Sequence, residues 1–288
     1  MDSLTTNSRF LDEEYNPRVR IPDFAAIFSR WENAAREARA SLSGRLDLQY
    51  GASPAETLDF FPAPGTRAPL LIFLHGGYWR ALDKSDFSWL APPYNAAGVA
   101  VAIVNYGLLP STPLTEIVQQ ARRACIWLYR HGTQLGLDTG SYICSGHSAG
   151  AHLTAMMLAT DWPALFADLP RRLLAAGLTI SGLFDLTPLT RAGFLCQDLR
   201  LNEDQARQLS PAFASWRNEA PLIRAVGALE TSEFHRQSNL IAQHWPQACA
   251  RALIEVPGAH HLSVCDDLAS TSGPLWRALQ TVLASPPS

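Results

Sequence analysis

The sequence predicts an α/β fold in which a mostly parallel central sheet carries helices on both faces. Short apolar runs that suit buried strands alternate with longer segments of helical spacing along the 288 residues. The run Leu70–Leu74 is apolar throughout, as expected of a parallel strand that is covered on both faces. A strand at 142–144, a glycine-flanked turn and a helix then follow one another. This alternation is typical of a sheet built from βαβ units.

The first part of the chain predicts an arm, a helix and an edge hairpin. An N-terminal arm is expected at about 1–20. Residues 23–43 have helical spacing, with Trp31 on the apolar side. Segments 46–50 and 57–61 alternate apolar and polar residues, which predicts an antiparallel hairpin at the edge of the sheet.

The remaining elements repeat the strand–helix alternation, so we expect one domain over residues 1–288. A buried strand is expected at 99–105, followed by an amphipathic helix at 114–131 that Gly132 ends. Further strand–helix units are expected at 142–159, 173–181, 222–245 and 251–283. The segment 187–215 lacks clear strands and predicts, at most, a small cap.

The most informative motif is Gly146-His-Ser-Ala-Gly150, which stands between a strand and a helix. In that setting Gly-x-Ser-x-Gly is the nucleophile elbow of the α/β-hydrolase fold. The turn is so tight that a Cβ at either glycine would collide with a neighbouring strand or helix. Ser148 is therefore the candidate nucleophile. The alternative is an ordinary turn in which Ser148 only caps the helix.

A second motif, His75-Gly-Gly-Tyr-Trp79, follows the apolar strand at 70–74. In this fold, the loop after that strand supplies backbone N–H groups that bind the oxyanion of the tetrahedral intermediate. We assign this role to the N–H groups of Gly77 and Tyr78, together with that of Ala149 after the nucleophile. Gly76 is the alternative to Tyr78, and a plain Gly-Gly turn is the alternative for the whole motif.

The order nucleophile, acid, histidine along the chain predicts where the other catalytic groups lie. Glu230 follows the strand that begins at Leu222, at the edge of the sheet where ligands bind. Glu233 and Asp185 are the competing carboxylates. The loop after the last strand contains His260 and His261, which spacing alone barely separates.

Several aromatic and histidine side chains flank these loops. Trp79, Tyr106 and Phe184 are candidate substrate-binding residues, since an aromatic wall would suit an aryl amide or ester. His152 lies four residues past the nucleophile, where packing or a structural hydrogen bond is expected. His75 is expected to brace the oxyanion loop.

Composition narrows the class of protein. The formal net charge of −3 gives no reason to expect nucleic acid or an anionic membrane as partner. No secretory signal and no spanning apolar stretch occur in the sequence. The five scattered cysteines predict reduced packing residues of a cytoplasmic protein, with neither disulfides nor a zinc site. We expect a small-molecule substrate and no cofactor or metal.

Six motifs together resemble the kynurenine formamidases (arylformamidases) and their bacterial esterase relatives. The combination of His-Gly-Gly-x-Trp with Glu-Phe-x-Arg-Gln-Ser is the specific part. The resemblance runs from about Tyr15 to the C-terminus. The motifs are His75-Gly-Gly-Tyr-Trp79, Asn105-Tyr-Gly-Leu108, Ser145-Gly-His-Ser-Ala-Gly-Ala-His-Leu153, Ser181-Gly-Leu-Phe-Asp-Leu186, Glu233-Phe-His-Arg-Gln-Ser238 and His261-Leu-Ser-Val264.

The resemblance implies a Ser-His-acid hydrolase with little separate lid. The family's nucleophile falls on Ser148 and its acid, often an aspartate, on Glu230. Its histidine falls on His261, with His260 where the family usually has asparagine. The implied reaction is hydrolysis of N-formyl-L-kynurenine to kynurenine and formate, and a homodimer is implied as well. The alternatives are a general carboxylesterase, an aryl amide or carbamate hydrolase and, more remotely, a non-catalytic ligand receptor.

Overall fold

The computed structural model describes residues 7–283, which contain one eight-stranded sheet. The strand order is β1-β2-β4-β3-β5-β6-β7-β8. The pairs β1–β2 and β2–β4 are antiparallel, and the other five pairs are parallel. The strands are β1 (Arg45–Gln49), β2 (Thr57–Phe61), β3 (Ala68–Leu74), β4 (Ala100–Val104), β5 (Leu137–His147), β6 (Ala176–Ile180), β7 (Leu222–Gly227) and β8 (Ile254–Val256).

Both faces of this sheet are covered, as strand β3 illustrates. Leu70, Ile72 and Leu74 belong to one hydrophobic cluster. Leu71 and Phe73 belong to the cluster on the opposite face. Successive side chains of a strand point to opposite faces, so a strand buried on both sides must be apolar at every position. The uninterrupted apolar run in the sequence therefore has its cause in this two-sided burial.

Different helices cover the two faces of the sheet. Side chains of α3, α4 and α11 pack on one face, and those of the other long helices pack on the opposite face. The helices are α1 (Ser8–Tyr15), α2 (Pro17–Arg20), α3 (Phe24–Ser41), α4 (Ala91–Ala96), α5 (Leu114–His131), α6 (Ala149–Leu158), α7 (Trp162–Leu165), α8 (Cys196–Leu199), α9 (Glu203–Gln208), α10 (Ser232–His244) and α11 (Pro274–Leu283). Short 3₁₀ turns lie at Lys84–Asp86, Ser88–Leu90, Thr187–Arg191, Pro211–Phe213 and Ser263–Ala269. Within residues 7–283, no helix has the length and apolar character needed to cross a membrane.

Most of the predicted elements are confirmed, with shifted ends. The edge hairpin is β1–β2, and helix α5 has the predicted limits. Strand β5 begins at Leu137, five residues before the predicted strand, because its first residue pairs with Ala68 of β3. The segment 187–215 contains only short helical pieces. The arm is helical over its described part, and residues 1–6 lie outside the described residues.

The turn between β5 and α6 has little free space. Ser148 has a φ of 54°, a left-handed conformation that an L-residue adopts only under constraint. A Cβ on Gly146 would clash with the backbone of Gly150, and one on Gly150 would clash with the carbonyl of Leu74. The Ser148 N–H donates to the carbonyl of Ile180 at 2.8 Å, which ties the turn to β6.

This geometry predicts that Gly150→Ala is strongly destabilising. The new methyl group has no room to move away from backbone atoms of β3, so we expect the free energy of unfolding to fall by about 3 kcal/mol. Gly65→Ala is the matched control, because a Cβ there meets nothing within 4 Å and only its φ of +94° is unfavourable. It should lose about 1 kcal/mol. Urea unfolding of both variants measures the difference, and equal losses would contradict the tight-turn account.

Candidate active site

Ser148, His261 and Glu230 form a continuous hydrogen-bonded line. The Ser148 Oγ lies 3.1 Å from Nε2 of His261. Nδ1 of the same histidine lies 2.6 Å from Oε2 of Glu230. The serine follows β5, the glutamate follows β7 and the histidine follows β8. Because parallel strands end at the same edge of a sheet, three distant segments of the chain meet there.

The Glu230 carboxylate is held from its other side. Its Oε1 accepts hydrogen bonds from the Gly227 N–H at 2.7 Å and from the Ser181 hydroxyl at 2.5 Å. The side chain is fully buried. These two donors fix the carboxylate and leave Oε2 for His261. Sequence reasoning missed Ser181, although its position at the end of a buried strand is where such a residue is expected.

The His261 ring is packed between two other rings. The Phe234 ring lies at 4.2 Å between centroids, and the His147 ring lies at 4.7 Å. Nε2 of His147 donates to the carbonyl of His261 at 2.7 Å. Burial and the neighbouring His261 hold the pKa of His147 well below its usual range. His147 is therefore neutral, and it positions His261 by packing and one hydrogen bond.

The competing carboxylates have other partners. Glu233 accepts from the Tyr15 hydroxyl at 2.5 Å and from Nε of Arg236 at 2.8 Å. Asp185 accepts from the N–H and the hydroxyl of Thr187, so it organises its own turn. Neither carboxylate is hydrogen-bonded to a histidine in residues 7–283.

The neighbouring histidine, His260, also has a local structural role. Its Nδ1 accepts from the N–H groups of Leu262 and Ser263, both at 3.2 Å. The ring therefore caps the 3₁₀ turn at 263–269, and its acceptor nitrogen is occupied. Geometry thus separates the two histidines that spacing did not.

The loop after β3 offers free backbone donors beside Ser148. The N–H groups of Gly76, Gly77 and Tyr78 donate to no acceptor within residues 7–283. A Cβ on Gly76 would lie 3.4 Å from Cβ of Ser148, so the loop runs directly beside the serine. Gly77 and Tyr78 have φ values of 99° and 52°. Ala149 begins α6, where the N–H groups and the helix dipole favour negative charge.

His75 stabilises this loop through hydrogen bonds and ring packing. Its Nδ1 lies 2.8 Å from the carbonyl of Gly76, which it reaches as a donor. The Tyr106 hydroxyl donates to the His75 carbonyl at 2.7 Å, and the two rings stack with centroids 4.3 Å apart. Burial lowers the pKa of His75, so the ring stays neutral.

The three predicted substrate-binding aromatics lie behind the site. Trp79, Tyr106 and Phe184 are at most 1% exposed, and none of them lines the cavity at Ser148. Trp79 packs its edge against His152, whose Nε2 donates to the carbonyl of Leu209 at 2.8 Å. Burial lowers the pKa of His152 to about 4. These rings support the catalytic loops, because short loops turn their large side chains into the core.

Other residues line the cavity that opens onto Ser148 and His261. The cavity is small: the centre of a water molecule can occupy a volume of about 60 Å³ within it. Its aromatic lining comes from Phe28, Trp31 and Phe194, and its polar rim comes from the arm and the oxyanion loop. The remaining lining residues are Asn16, Pro17, Arg18, Gly77, Tyr78, Arg80, Ala81, Leu82, His147 and Leu262. The amphipathic spacing of 23–43 signals an apolar face, but nothing in it indicates what that face contacts.

No cysteine belongs to this arrangement in the described residues. Cys144 is buried in β5, and all five cysteines are free thiols. Within residues 7–283, no group of three or more His, Cys, Asp or Glu side chains is placed to hold a metal ion. The site brings together a hydroxyl, an imidazole, a carboxylate and backbone donors.

Comparisons with known proteins agree on the class of enzyme. The family model BD-FAE matches residues 58–167. Kynurenine formamidase of Salmo salar is 30% identical over 270 residues, which cover 90% of this chain and 89% of that protein. The Danio rerio kynurenine formamidase is 29% identical over 94% of this chain and 93% of that protein.

Curated esterases match in sequence over shorter stretches, whereas a solved structure matches over most of the chain. The carboxylic ester hydrolase LipN of Mycobacterium tuberculosis is 32% identical over 98 residues, which cover 33% of this chain and 26% of that protein. A crystal structure of a "putative thioesterase" from Silicibacter sp. TM1040 is 31% identical, with a TM-score of 0.84 over 94% of this chain and 98% of that chain. The sheet order, the near-complete match to the formamidases and this structural likeness lead to one conclusion: the chain is a hydrolase that belongs to the kynurenine formamidase family of α/β-hydrolases.

Proposed function

We propose that this enzyme hydrolyses an aryl formamide, N-formyl-L-kynurenine above all, through a formyl-enzyme on Ser148. The observation that carries the proposal is the line from Ser148 through His261 to Glu230, beside unpaired backbone donors. Such a line supports acyl transfer, because the imidazole can accept the serine proton while the carboxylate stabilises the imidazolium.

The proposed reaction has two halves. Ser148 Oγ attacks the formyl carbon as its proton passes to Nε2 of His261. The oxyanion accepts hydrogen bonds from Gly77, Tyr78 and Ala149, with Gly76 as the alternative donor in that loop. The intermediate collapses, the C–N bond breaks, and His261 gives its proton to the departing amine. Water then attacks the formyl ester by the same route, which releases formate and the free hydroxyl.

Two observations favour a formamide over other acyl substrates. The Salmo salar and Danio rerio formamidases match about nine-tenths of the chain, whereas the esterase LipN matches a third of it. The rings of Phe28, Trp31 and Phe194 offer an apolar wall for an aryl leaving group.

The second candidate function is a general esterase on the same site. It is favoured by the likeness to the Silicibacter structure, which is described as that of a thioesterase. The chemistry does not separate the two functions, since formamides and esters both pass through an acyl-enzyme. The acyl and leaving-group preference of the enzyme decides between them.

The first prediction from the proposed function concerns the nucleophile. Ser148→Ala should fold normally yet retain at most a few per cent of wild-type turnover, because no acyl-enzyme can form. Ser145→Ala is the matched control, since this buried serine in β5 has a hydroxyl without a hydrogen-bond partner in the described residues. The control should keep its activity. Steady-state kinetics with both variants makes the measurement, and substantial turnover by Ser148→Ala would contradict the assignment.

The two adjacent histidines give the second prediction. His261→Ala should lower kcat by about a thousandfold or more, because the members of a catalytic triad act as a unit. His260→Ala should cost about tenfold at most, since it removes only the cap of a 3₁₀ turn. The kcat values of both variants on one substrate provide the comparison. The reverse ranking would move the general base to His260.

The third prediction separates the formamidase from the esterase. On one aryl leaving group, lengthening the acyl group from formyl to acetyl to butyryl should lower kcat/KM at each step, because a displaced carbonyl loses its oxyanion contacts. A general esterase should instead gain from apolar contact worth about 0.8 kcal/mol per methylene. A maximum at butyryl, with N-formyl-L-kynurenine no faster than a generic anilide, would replace the formamidase assignment with the esterase one.

A further inference from the structure

The N-terminal arm, here residues 8–20, forms one wall of the cavity that contains Ser148. Asn16, Pro17 and Arg18 line it together with the oxyanion loop. These residues stand far from the catalytic motifs in the sequence. Their placement needs contacts that hold the arm against the body of the enzyme.

Buried hydrogen bonds provide those contacts. The Tyr15 hydroxyl donates to Glu233 at 2.5 Å and accepts from Nε2 of Gln237 at 2.9 Å. The carbonyl of Tyr15 accepts from the Tyr78 hydroxyl. Tyr15 is fully buried, and Glu14 accepts from Ser232 at 2.7 Å at the start of α10. The arm is therefore fixed both to the loop that carries the oxyanion donors and to the helix that follows the Glu230 loop.

The arm carries an arginine without an acidic partner into the cavity rim. The Arg18 guanidinium lies over the rings of Phe24 and Phe28, at 5.4 Å and 6.0 Å from their centroids. No ion pair or side-chain hydrogen bond engages it within residues 7–283. By contrast, Arg80 at the same cavity pairs with Asp198 at 2.5 Å and donates to a backbone carbonyl.

No acidic side chain among the described lining residues neutralises the charge of Arg18. No Asp or Glu is among the residues that line the cavity. Two histidines lie on its wall: His147 is neutral because burial lowers its pKa, and His261 is hydrogen-bonded to Glu230. Arg80 is neutralised by Asp198. Among the described lining residues, Arg18 is therefore a cation without an acidic partner beside an aromatic wall, an arrangement that attracts an anionic aryl compound.

We propose that Arg18 binds a carboxylate on the leaving-group part of the substrate, so that the preferred substrates are aryl formamides or esters with an anionic side chain. The inference rests on the proposed function, which places the formyl group at Ser148. A formyl group carries no charged substituent, so the carboxylate must belong to the leaving group. A guanidinium suits this task, since its parallel N–H groups can donate to both oxygens of one carboxylate. Contact with the Phe24 and Phe28 rings orients the guanidinium of Arg18.

The test compares matched substrates and matched variants. One pair consists of aryl formamides that differ only in a side-chain carboxylate or its primary amide, and a second pair consists of the corresponding aryl acetates. The variants are Arg18→Met, which keeps an apolar stem on the two phenylalanine rings, and Arg18→Lys, which keeps the charge. Arg9→Met is the control, because Arg9 lies on the same arm, is exposed and pairs with Glu13.

The readout is the ratio of kcat/KM for the carboxylate to that for the amide. In the wild-type enzyme this ratio should be about ten or more, as expected of a charge-assisted hydrogen bond. In Arg18→Met the ratio should fall close to one, because the KM for the carboxylate substrate rises. In Arg18→Lys part of the wild-type ratio should remain. Arg9→Met should keep the wild-type ratio. Added salt should lower the wild-type ratio, since the rim is open to solvent.

The outcomes separate this inference from the proposed function. A wild-type ratio near one, or a ratio that Arg18→Met leaves unchanged, contradicts the proposed role of Arg18. Arg18 would then be a surface residue that only packs on two phenylalanine rings. Rapid formamide hydrolysis in that case still supports the formamidase. Conversely, an enzyme that cleaves only the acetates but loses its carboxylate preference in Arg18→Met contradicts the formamidase and supports the inference.

Discussion

The hydrogen bond between Glu230 and His261 is the interaction on which the site depends. At 2.6 Å it joins the ends of β7 and β8, and it turns Nε2 of the histidine toward Ser148. Gly227 and Ser181 hold the other carboxylate oxygen, and Phe234 and His147 hold the ring. An imidazole with one fixed tautomer and one fixed orientation can accept the serine proton at each turnover. The surrounding contacts all serve to keep this pair aligned.

The elements next to the chemistry could be predicted because their signals are local. The elbow around Ser148 needs glycines at fixed offsets, since any Cβ would meet backbone atoms of β3 or α6. The burial of β3 on both faces likewise follows from an apolar run. Spacing does not separate His261 from His260, because both stand in one loop. The family resemblance points to His261, and the hydrogen bonds of the two residues differ in the structure.

Recognition of the substrate was harder to predict than the chemistry. Trp79 and Phe184 stand beside catalytic motifs, yet they point into the core. The cavity wall comes instead from the arm and α3, through pairs such as Tyr15 with Glu233 that lie 218 positions apart. No local pattern encodes such a contact. In this structure the strand-end loops bring Ser148, His261 and Glu230 together, while the N-terminal arm, with Arg18, forms part of the cavity wall beside them.

Covalent labelling tests the central claim, that Glu230 acts through His261 to make Ser148 nucleophilic. A fluorophosphonate should label the wild-type enzyme on Ser148 alone, as located by peptide mass spectrometry. In Glu230→Gln the hydrogen bond to Nδ1 favours the wrong tautomer, so the labelling rate should fall by roughly a thousandfold or more while the fold persists. Labelling at another residue, or an unchanged rate in Glu230→Gln, would contradict the account.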